Sequence, residues 1–522
     1  MRSFVEEQGQ GLDSSLVAWL VGGIVAEPDA ELRRVFTPLT GELLAQVPLS
    51  RVSDVGLAVQ QARPALRVWA GLGHRRRAEV VLGFHDRLLA ARDQVLDLIQ
   101  LETGKTRANA FEEVVEVANV ARYYARTAAA LLAPRRVRGV MPMIATAREQ
   151  RLPRGVVGII TPWNYPFALS LGDALAALLA GNAVVLRPEP RTSLSVLWGL
   201  RLLIGAGLPA GVLQVVVGDG DLIGDAVARR TDFVCFTGST ATGRQVAQVA
   251  AERMVGCSLE LGGKNALYVR ADADLDLAVD VALRSSFAGA GQVCVHTERL
   301  VLHEAVADAF LARFVPAVEA MRLGVALRYG YDMGSLFGDD QLRRVCAHVD
   351  DAVRHGATVL TGGRPRPDVG PWVYAPTVLE GVTAAMDVRD AETFGPVVSV
   401  YRVSDDEAAV RLINDSDYGL HAGIVSADRA AARQLAPRLH SGTVSINETF
   451  LASWGAVGAA MGARGHSGTG GRHGAEGLLR FTVLQSVAEQ RAGSLGVARG
   501  AQERFAGLFC RALVALRRAR LR

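Results

Sequence analysis

Two residues of this 522-residue chain are of the types that do covalent chemistry on a carbonyl group: Cys294, in Gly291-Gln292-Val293-Cys294, and Glu260, in Glu260-Leu261-Gly262-Gly263-Lys264. A cysteine sulfur can add to a carbonyl carbon to give a thiohemiacetal and then a thioester. A glutamate about 34 residues earlier could activate the water that releases the acid. A third residue, Asn164 in Thr161-Pro162-Trp163-Asn164-Tyr165-Pro166, could offer its side-chain NH2 to an oxyanion. Each has a plainer reading when taken alone. A lone cysteine is more often a small buried residue, a lone glutamate a solvated acid, and a loop asparagine a turn former.

The elements that would position these residues alternate between strand and helix. Val55 to Arg92 has amphipathic helical spacing, which continues from Asp93 to Tyr124. Residues around 135–152 turn to Arg, Pro and alternating types, which predicts an extended excursion. Strands are expected at 155–160, 183–186, 213–217 and 233–236, with helices at 169–180, 193–205 and 221–229 between them. Such alternation implies a parallel sheet with right-handed crossovers. A second alternation runs from about Ala266 to Ile446, and Phe481 to Val487 reads as a late strand.

Two glycine-containing turns sit where a strand meets a helix. Gly218-Asp219-Gly220, with Gly224 later, has the spacing GxGxxxG, one residue longer than the dinucleotide fingerprint, and a plain turn explains it equally well. Phe236-Thr237-Gly238-Ser239-Thr240-Ala241-Thr242-Gly243 places small hydroxyl residues at a helix start. That arrangement suits a pyrophosphate, or serves simply as an N-cap.

Composition narrows the class. The net charge of +4 is small for the length and implies no nucleic-acid surface. Lys105 and Lys264 are the only lysines among 57 basic residues, which draws attention to both. The five cysteines show neither CxxC spacing nor a neighbouring histidine cluster, which points to a reducing compartment and away from a metal site. The apolar stretch from Leu16 to Ala26 follows an acidic start, unlike a secretory signal, and no apolar run is long enough to span a bilayer. A cytoplasmic protein is expected.

Together the motifs resemble the aldehyde dehydrogenase superfamily. The matching stretches stand in that family's order: Glu102-Thr103-Gly104-Lys105, Thr161–Pro166, Phe236–Gly243, Glu260–Lys264, Gly291–Cys294, Glu392-Thr393-Phe394-Gly395-Pro396, Asn414–Leu420 and Ser467-Gly468. The resemblance covers roughly residues 35–490. Within the family the chain is most similar to bacterial enzymes described as NADP-dependent succinate-semialdehyde dehydrogenases, and Arg472-His473-Gly474-Ala475-Glu476-Gly477-Leu478-Leu479 contributes to that likeness.

The resemblance implies an α/β fold in three parts. A Rossmann-like cofactor domain would take residues 1–134 and 153–259, and an α/β catalytic domain 260–460. A small β oligomerisation arm would take 135–152 and 480–490, followed by a basic amphipathic tail at 491–522. It also implies a homodimer or homotetramer acting on a small-molecule aldehyde. Cys294 would be the nucleophile, Asn164 and the Cys294 backbone NH the oxyanion hole, and Glu260 the deacylation base. Cofactor contacts would fall at Thr161, Trp163, Arg187, Gly220, Ser239, Glu392 and Phe394, with no metal required. Lys264 is assigned no chemical step.

Departures from the family pattern set further expectations. The adenosine-side segment reads Arg187-Pro188-Glu189-Pro190, so a proline stands where a ribose-binding glutamate is usual. Arg187 and Arg191 could instead pair with a 2′-phosphate, which predicts NADP over NAD, unless Glu189 turns inward and repels it. Arginines that grip a substrate carboxylate in some relatives are absent from Leu171-Gly172-Asp173 and Phe287-Ala288-Gly289. Succinate semialdehyde is the first substrate reading. A fatty or aromatic aldehyde enzyme held near a membrane is the second, and a non-catalytic binding or structural protein on this fold is a third. The tail bears on the second reading. Phe505, Leu508, Phe509, Ala512 and Leu516 form one apolar stripe between arginines, which would pack on protein or lie in an anionic membrane surface.

Overall fold

The computed structural model describes residues 12–138, 145–491 and 500–520. The parts of the expected arm at 139–144 and of the tail at 492–499 and 521–522 lie outside the described residues. The chain divides into two compact units, Met1–Leu131 with Pro153–Thr482, and Leu132–Leu152 with Val483–Arg522.

The larger unit holds two sheets of more than three strands. The first runs Gly468–Thr469, Gly256–Glu260, Phe233–Thr237, Val156–Ile160, Ala183–Arg187, Leu213–Val215 across its width. All of its pairings are parallel except the one made by Gly468–Thr469. Strands Val156–Ile160, Ala183–Arg187 and Phe233–Thr237 are buried along their whole length, which explains their near-continuous Val, Ile, Leu and Phe content. Strand order reverses direction at Val156–Ile160. The chain goes on to Ala183–Arg187 on one side and returns to Phe233–Thr237 on the other. The crevice beyond the carboxyl ends of those two strands is where open α/β sheets bind ligands.

The second sheet has seven strands, in the order Thr358–Thr361, Thr377–Glu380, Val397–Val403, Thr297–His303, Asn265–Val269, His421–Val425, Thr443–Ile446. Only its Thr358–Thr361 edge strand pairs antiparallel. The Glu260–Lys264 stretch is the passage from the last long strand of the first sheet to a central strand of the second. Glu260 is therefore fixed at a junction between two rigid layers.

The helical reading of the first third is correct in type but not in extent. Instead of one helix from Val55 to Arg92 there are two, Val52–Gly71 and Gly73–Ala90, and the following region divides into Arg92–Thr103 and Arg107–Leu131. The third of these helices stops because Gly104 adopts a left-handed conformation (φ +75°) that most residues avoid. The expected helix at 221–229 opens with a π turn, Gly220–Gly224, and becomes α-helical over Asp225–Arg230.

The smaller unit contains a three-stranded sheet of Arg135–Arg138, Ala145–Pro153 and Thr482–Gln490, with the last at one edge. Its edge strand leaves Val483, Leu484 and Val487 exposed. The tail forms a helix, Gln502–Arg518, in which no residue is buried. Among the described residues no helix is long and apolar enough to cross a membrane.

Candidate active site

Asn164 follows the central strand of the first sheet and is held from both sides. Its backbone carbonyl accepts a hydrogen bond from Lys105 Nζ at 2.6 Å, and Lys105 also donates to Glu113 Oε1 at 2.6 Å. Glu113 Oε2 in turn accepts from the Ala168 amide at 2.9 Å. This buried ion pair clamps the Thr161–Pro166 loop to the helix Pro166–Leu179. The Asn164 side chain donates from Nδ2 to the Gln292 carbonyl at 2.9 Å, two residues before Cys294.

The Gly291–Cys294 turn is shaped by a close approach. Gly291 has φ +70°, and a Cβ there would lie 2.0 Å from the Gly395 carbonyl oxygen, so no other residue fits. Asn265 Nδ2 donates to the carbonyls of Cys294 and His296 at 2.7 and 2.8 Å, which fixes the far side of the turn. Burial pushes the Cys294 thiol up to about 12, with Arg472 pulling the other way. The sulfur is a thiol at neutral pH and needs a proton acceptor before it can attack. Glu260 is buried, and burial raises its carboxyl above the usual range against the opposing pull of Arg472 and Arg480.

Cys294 and Glu260 form a wall shared by two clefts. On one side they meet Trp163, Asn164, Ser239, Glu392 and Phe394. That cleft shares Trp163 and Ser239 with a larger one lined by Thr161, Arg187, Glu189 and Gly220. On the other side they face Glu116, Asp173, Trp454, Arg472, His473 and Arg480. All ten site residues expected from sequence thus line a row of adjoining clefts.

Several of them do different local work from what their types suggested. Trp163 stacks flat on Phe337, with centroids 4.3 Å apart, and meets Phe394 edge-on at 5.6 Å. Ser239 is the N-cap of helix Thr240–Glu252 and accepts from the Thr242 amide at 3.3 Å. The Thr161 hydroxyl shares a 2.7 Å hydrogen bond with Ser170 in the interior. Arg187 is buried and donates to the Gly218 carbonyl at 2.8 and 2.6 Å, so it braces the Gly218–Gly220 turn. Glu189 lines the larger cleft but is not free. Arg187 lies 3.5 Å and Arg191 3.2 Å from its carboxylate, leaving two guanidiniums to one acid.

Lys264, given no role from sequence, proves to be a positioning residue. It pairs with buried Glu298 and donates to the Ala391 carbonyl at 2.9 Å. Glu298 accepts from the Thr393 and Phe394 amides, each at 2.9 Å. Burial alone would raise the Glu298 carboxyl, but the Lys264 ammonium and His296 hold it well below the usual range. This pair fixes the loop that presents Glu392 and Phe394, and the Glu392 carboxylate itself accepts from the Gly263 amide at 2.8 Å. Lys264→Met should therefore cost about 3–5 kcal/mol in denaturant unfolding, because it strands a buried carboxylate. Lys264→Met with Glu298→Leu should cost less, and a double variant as unstable as the single one would contradict the pairing.

Asp173 changes the picture of the second cleft. It is buried, and Arg472 contacts it at 3.1 and 2.9 Å while Arg480 reaches it at 2.5 Å. Burial works against its charge, but the two guanidiniums overcome this and hold the carboxyl well below the usual range. Two arginines thus enter the cleft from the C-terminal segment, where Asp173, Glu116 and Glu260 are the carboxylates around them. Sequence reasoning noted Asp173 only as a missing arginine. The signal it lacked was the pairing of residues about 300 positions apart. Among the described residues no group of three or more His, Cys, Asp or Glu is placed to hold a metal ion.

Residues 25–487 match the model of the aldehyde dehydrogenase family. A Mycobacterium ulcerans protein, named as a putative succinate-semialdehyde dehydrogenase (NADP(+)), is 44% identical over 466 residues, covering 89% of each chain. A Methylomonas 4,4′-diapolycopene aldehyde oxidase is 38% identical, covering 85% of this chain and 83% of that protein. The NAD+ complex of an aldehyde dehydrogenase from Bacillus cereus superposes with a TM-score of 0.86 at 30% identity, covering 92% of this chain and 99% of the other.

Proposed function

The chain belongs to the aldehyde dehydrogenase family, and on that premise we propose that it oxidises a short, carboxylate-bearing aldehyde of the succinate-semialdehyde type. The reaction runs through a thiohemiacetal and a thioester on Cys294, with NADP preferred to NAD. The observation that carries the reading is the meeting of two clefts at Cys294 and Glu260, one continuous with the large cleft at the strand reversal and the other entered by Arg472 and Arg480.

The residues present fit a dinucleotide. The larger cleft lies at the point where strand order reverses and has a volume of about 640 Å³, within the roughly 300–1,000 Å³ usual for a ligand site. Gly238 and Ser239 open a 13-residue helix, whose N-terminus suits phosphate oxygens. Trp163 and Phe394 would flank the nicotinamide and Glu392 its ribose. Bound there, the cofactor supplies the hydride acceptor. At the adenosine end, Arg187 and Arg191 flank Glu189 and could pair with a 2′-phosphate, with Asp221 also lining the cleft.

The protein's own part follows in order. The Cys294 thiol passes its proton to solvent water, and its sulfur bonds to the aldehyde carbon as the carbonyl electron pair moves onto oxygen. The Asn164 NH2 has two hydrogens, and with one on the Gln292 carbonyl the other is available to the oxyanion, beside the Cys294 amide. Glu260 then takes a proton from water as the water attacks the thioester, and Cys294 leaves as thiolate. Arg472 and Arg480 hold the remote carboxylate of the substrate. The test is an aldehyde panel with both cofactors. Succinate semialdehyde should exceed butanal in kcat/KM by about 10–100-fold, the worth of one charge-assisted hydrogen bond, and NADP should be the better acceptor. Equal rates on the two aldehydes would end the substrate reading, and a clear NAD preference the cofactor reading.

The exposed edge strand Thr482–Gln490 supports assembly, since an uncovered edge is a liability in a soluble protein. A light-scattering mass of two or four chains is expected, and a one-chain mass at micromolar concentration would contradict it.

A further inference from the structure

The second cleft holds an acid–imidazole pair that the chemistry above does not use. Glu116 projects from helix Arg107–Leu131, and His473 stands just before helix Gly474–Leu479. Both are buried, with 5% of each exposed. His473 Nε2 lies 2.5 Å from Glu116 Oε1, so with Glu116 ionised the ring donates there. The other ring nitrogen, Nδ1, has no partner in the protein, and neither do Glu116 Oε2 and Glu260 Oε1. Three orphaned polar atoms on one cleft wall mark a place for bound water, since buried polar groups are otherwise almost always satisfied.

His473 also sits in a backbone conformation that is costly for it. Its φ is +61° and its ψ 178°, a region left almost entirely to glycine. The chain around it fixes this geometry: its carbonyl accepts from the Gly477 amide at 2.8 Å, and the Gly474 amide donates to the Val457 carbonyl at 2.9 Å. Strain of this kind persists where a side chain is needed in one direction. Here that direction places an imidazole in the cleft that contains Cys294 and Glu260.

We propose that His473, oriented by Glu116, receives the deacylation proton from Glu260 through water held in this cleft. The inference rests on the reading of Glu260 as the deacylation base. In that step the water oxygen bonds to the thioester carbon, one water proton passes to Glu260, and the carbon–sulfur bond breaks with its electron pair on Cys294. Glu260 is left as a neutral acid and cannot serve again until that proton departs. The unpartnered Nδ1 accepts it, and the ionised Glu116 at Nε2 stabilises the imidazolium until solvent removes the proton. His473 acts through Glu260 and touches no reacting atom, so it is a positioning residue for the proton.

The test uses the full chain and 4-nitrophenyl acetate, which acylates Cys294 without any cofactor. Wild type should release a rapid burst of 4-nitrophenolate, then a slower steady rate set by deacylation. His473→Gly, which also relieves the backbone strain, should keep the burst within about twofold and lose about 10–100-fold of the steady rate. Acetyl-Cys294 should accumulate by peptide mass spectrometry, and added imidazole should restore part of the rate. Glu116→Gln should act in the same direction. His473→Asn provides a second variant that keeps a side chain in place. A steady rate within twofold of wild type in both His473 variants would overturn the proposal. So would parallel loss of burst and steady rate with no response to imidazole. Glu260→Gln run alongside separates the two readings: if it turns over normally, the base assignment falls, whereas a slow Glu260→Gln with a normal His473→Gly removes only the relay.

Discussion

Cys294→Ser should lose at least about 10³-fold in aldehyde oxidation while binding cofactor as wild type does. Burial already pushes the thiol up to about 12, so even the native sulfur depends on a nearby proton acceptor to become a nucleophile. A serine hydroxyl is a weaker acid in the same dry site and would need a stronger base than any group lining these clefts. The cofactor cleft, built from Arg187, Gly220, Ser239 and their neighbours, does not depend on the sulfur, so a fluorescence titration with NADP should be unchanged. A serine variant that oxidises aldehyde at more than a few per cent of the native rate would remove Cys294 from its assigned place.

Glu260→Gln should keep a burst of reduced cofactor and lose about 10²–10⁴-fold in steady turnover. The burst survives because acylation of Cys294 precedes the step that needs the carboxylate. The pH dependence carries a sign. Burial raises the Glu260 carboxyl, so the base is lost as pH falls through that raised value, above the ordinary carboxylate range. Wild-type deacylation should climb with pH and level off once Glu260 is ionised. The glutamine variant should show no such limb.

The part of the site that was legible in sequence is the part that sits within single motifs. Asn164 follows the strand Val156–Ile160, Glu260 ends the strand Gly256–Glu260 and Cys294 lies in the turn before the strand Thr297–His303, so each motif places its residue at a strand end. The helix boundaries in the first third were not legible, because 3.6-residue periodicity continues through single-residue breaks such as Leu72 and Ala91. The partners of the site were not legible either. Lys105 meets Asn164 across 59 positions, Lys264 meets Glu298 across 34, and Glu116 meets His473 across 357. A single sequence shows that such residues exist but not which of them meet. The anion-binding reading is the sharpest case. Looking for arginines only at two expected positions missed Arg472 and Arg480, which reach the same cleft from the C-terminal segment and converge on Asp173.

The positive φ at Phe394 and at His473 could not have been read from their types, since neither residue favours that region. Both lie beside the proposed reacting centre, one on each side of Cys294 and Glu260. Local propensity is expected to fail where a side chain must be aimed at chemistry.

The most direct test is to mix the Glu260→Gln protein with succinate semialdehyde and NADP, quench within one turnover, digest, and weigh the cysteine-bearing peptides. A succinyl group is expected on the Cys294 peptide, removable by hydroxylamine, in proportion to the reduced cofactor formed. Reduced cofactor with no adduct on Cys294, or an adduct confined to Cys257 or Cys346, would contradict it.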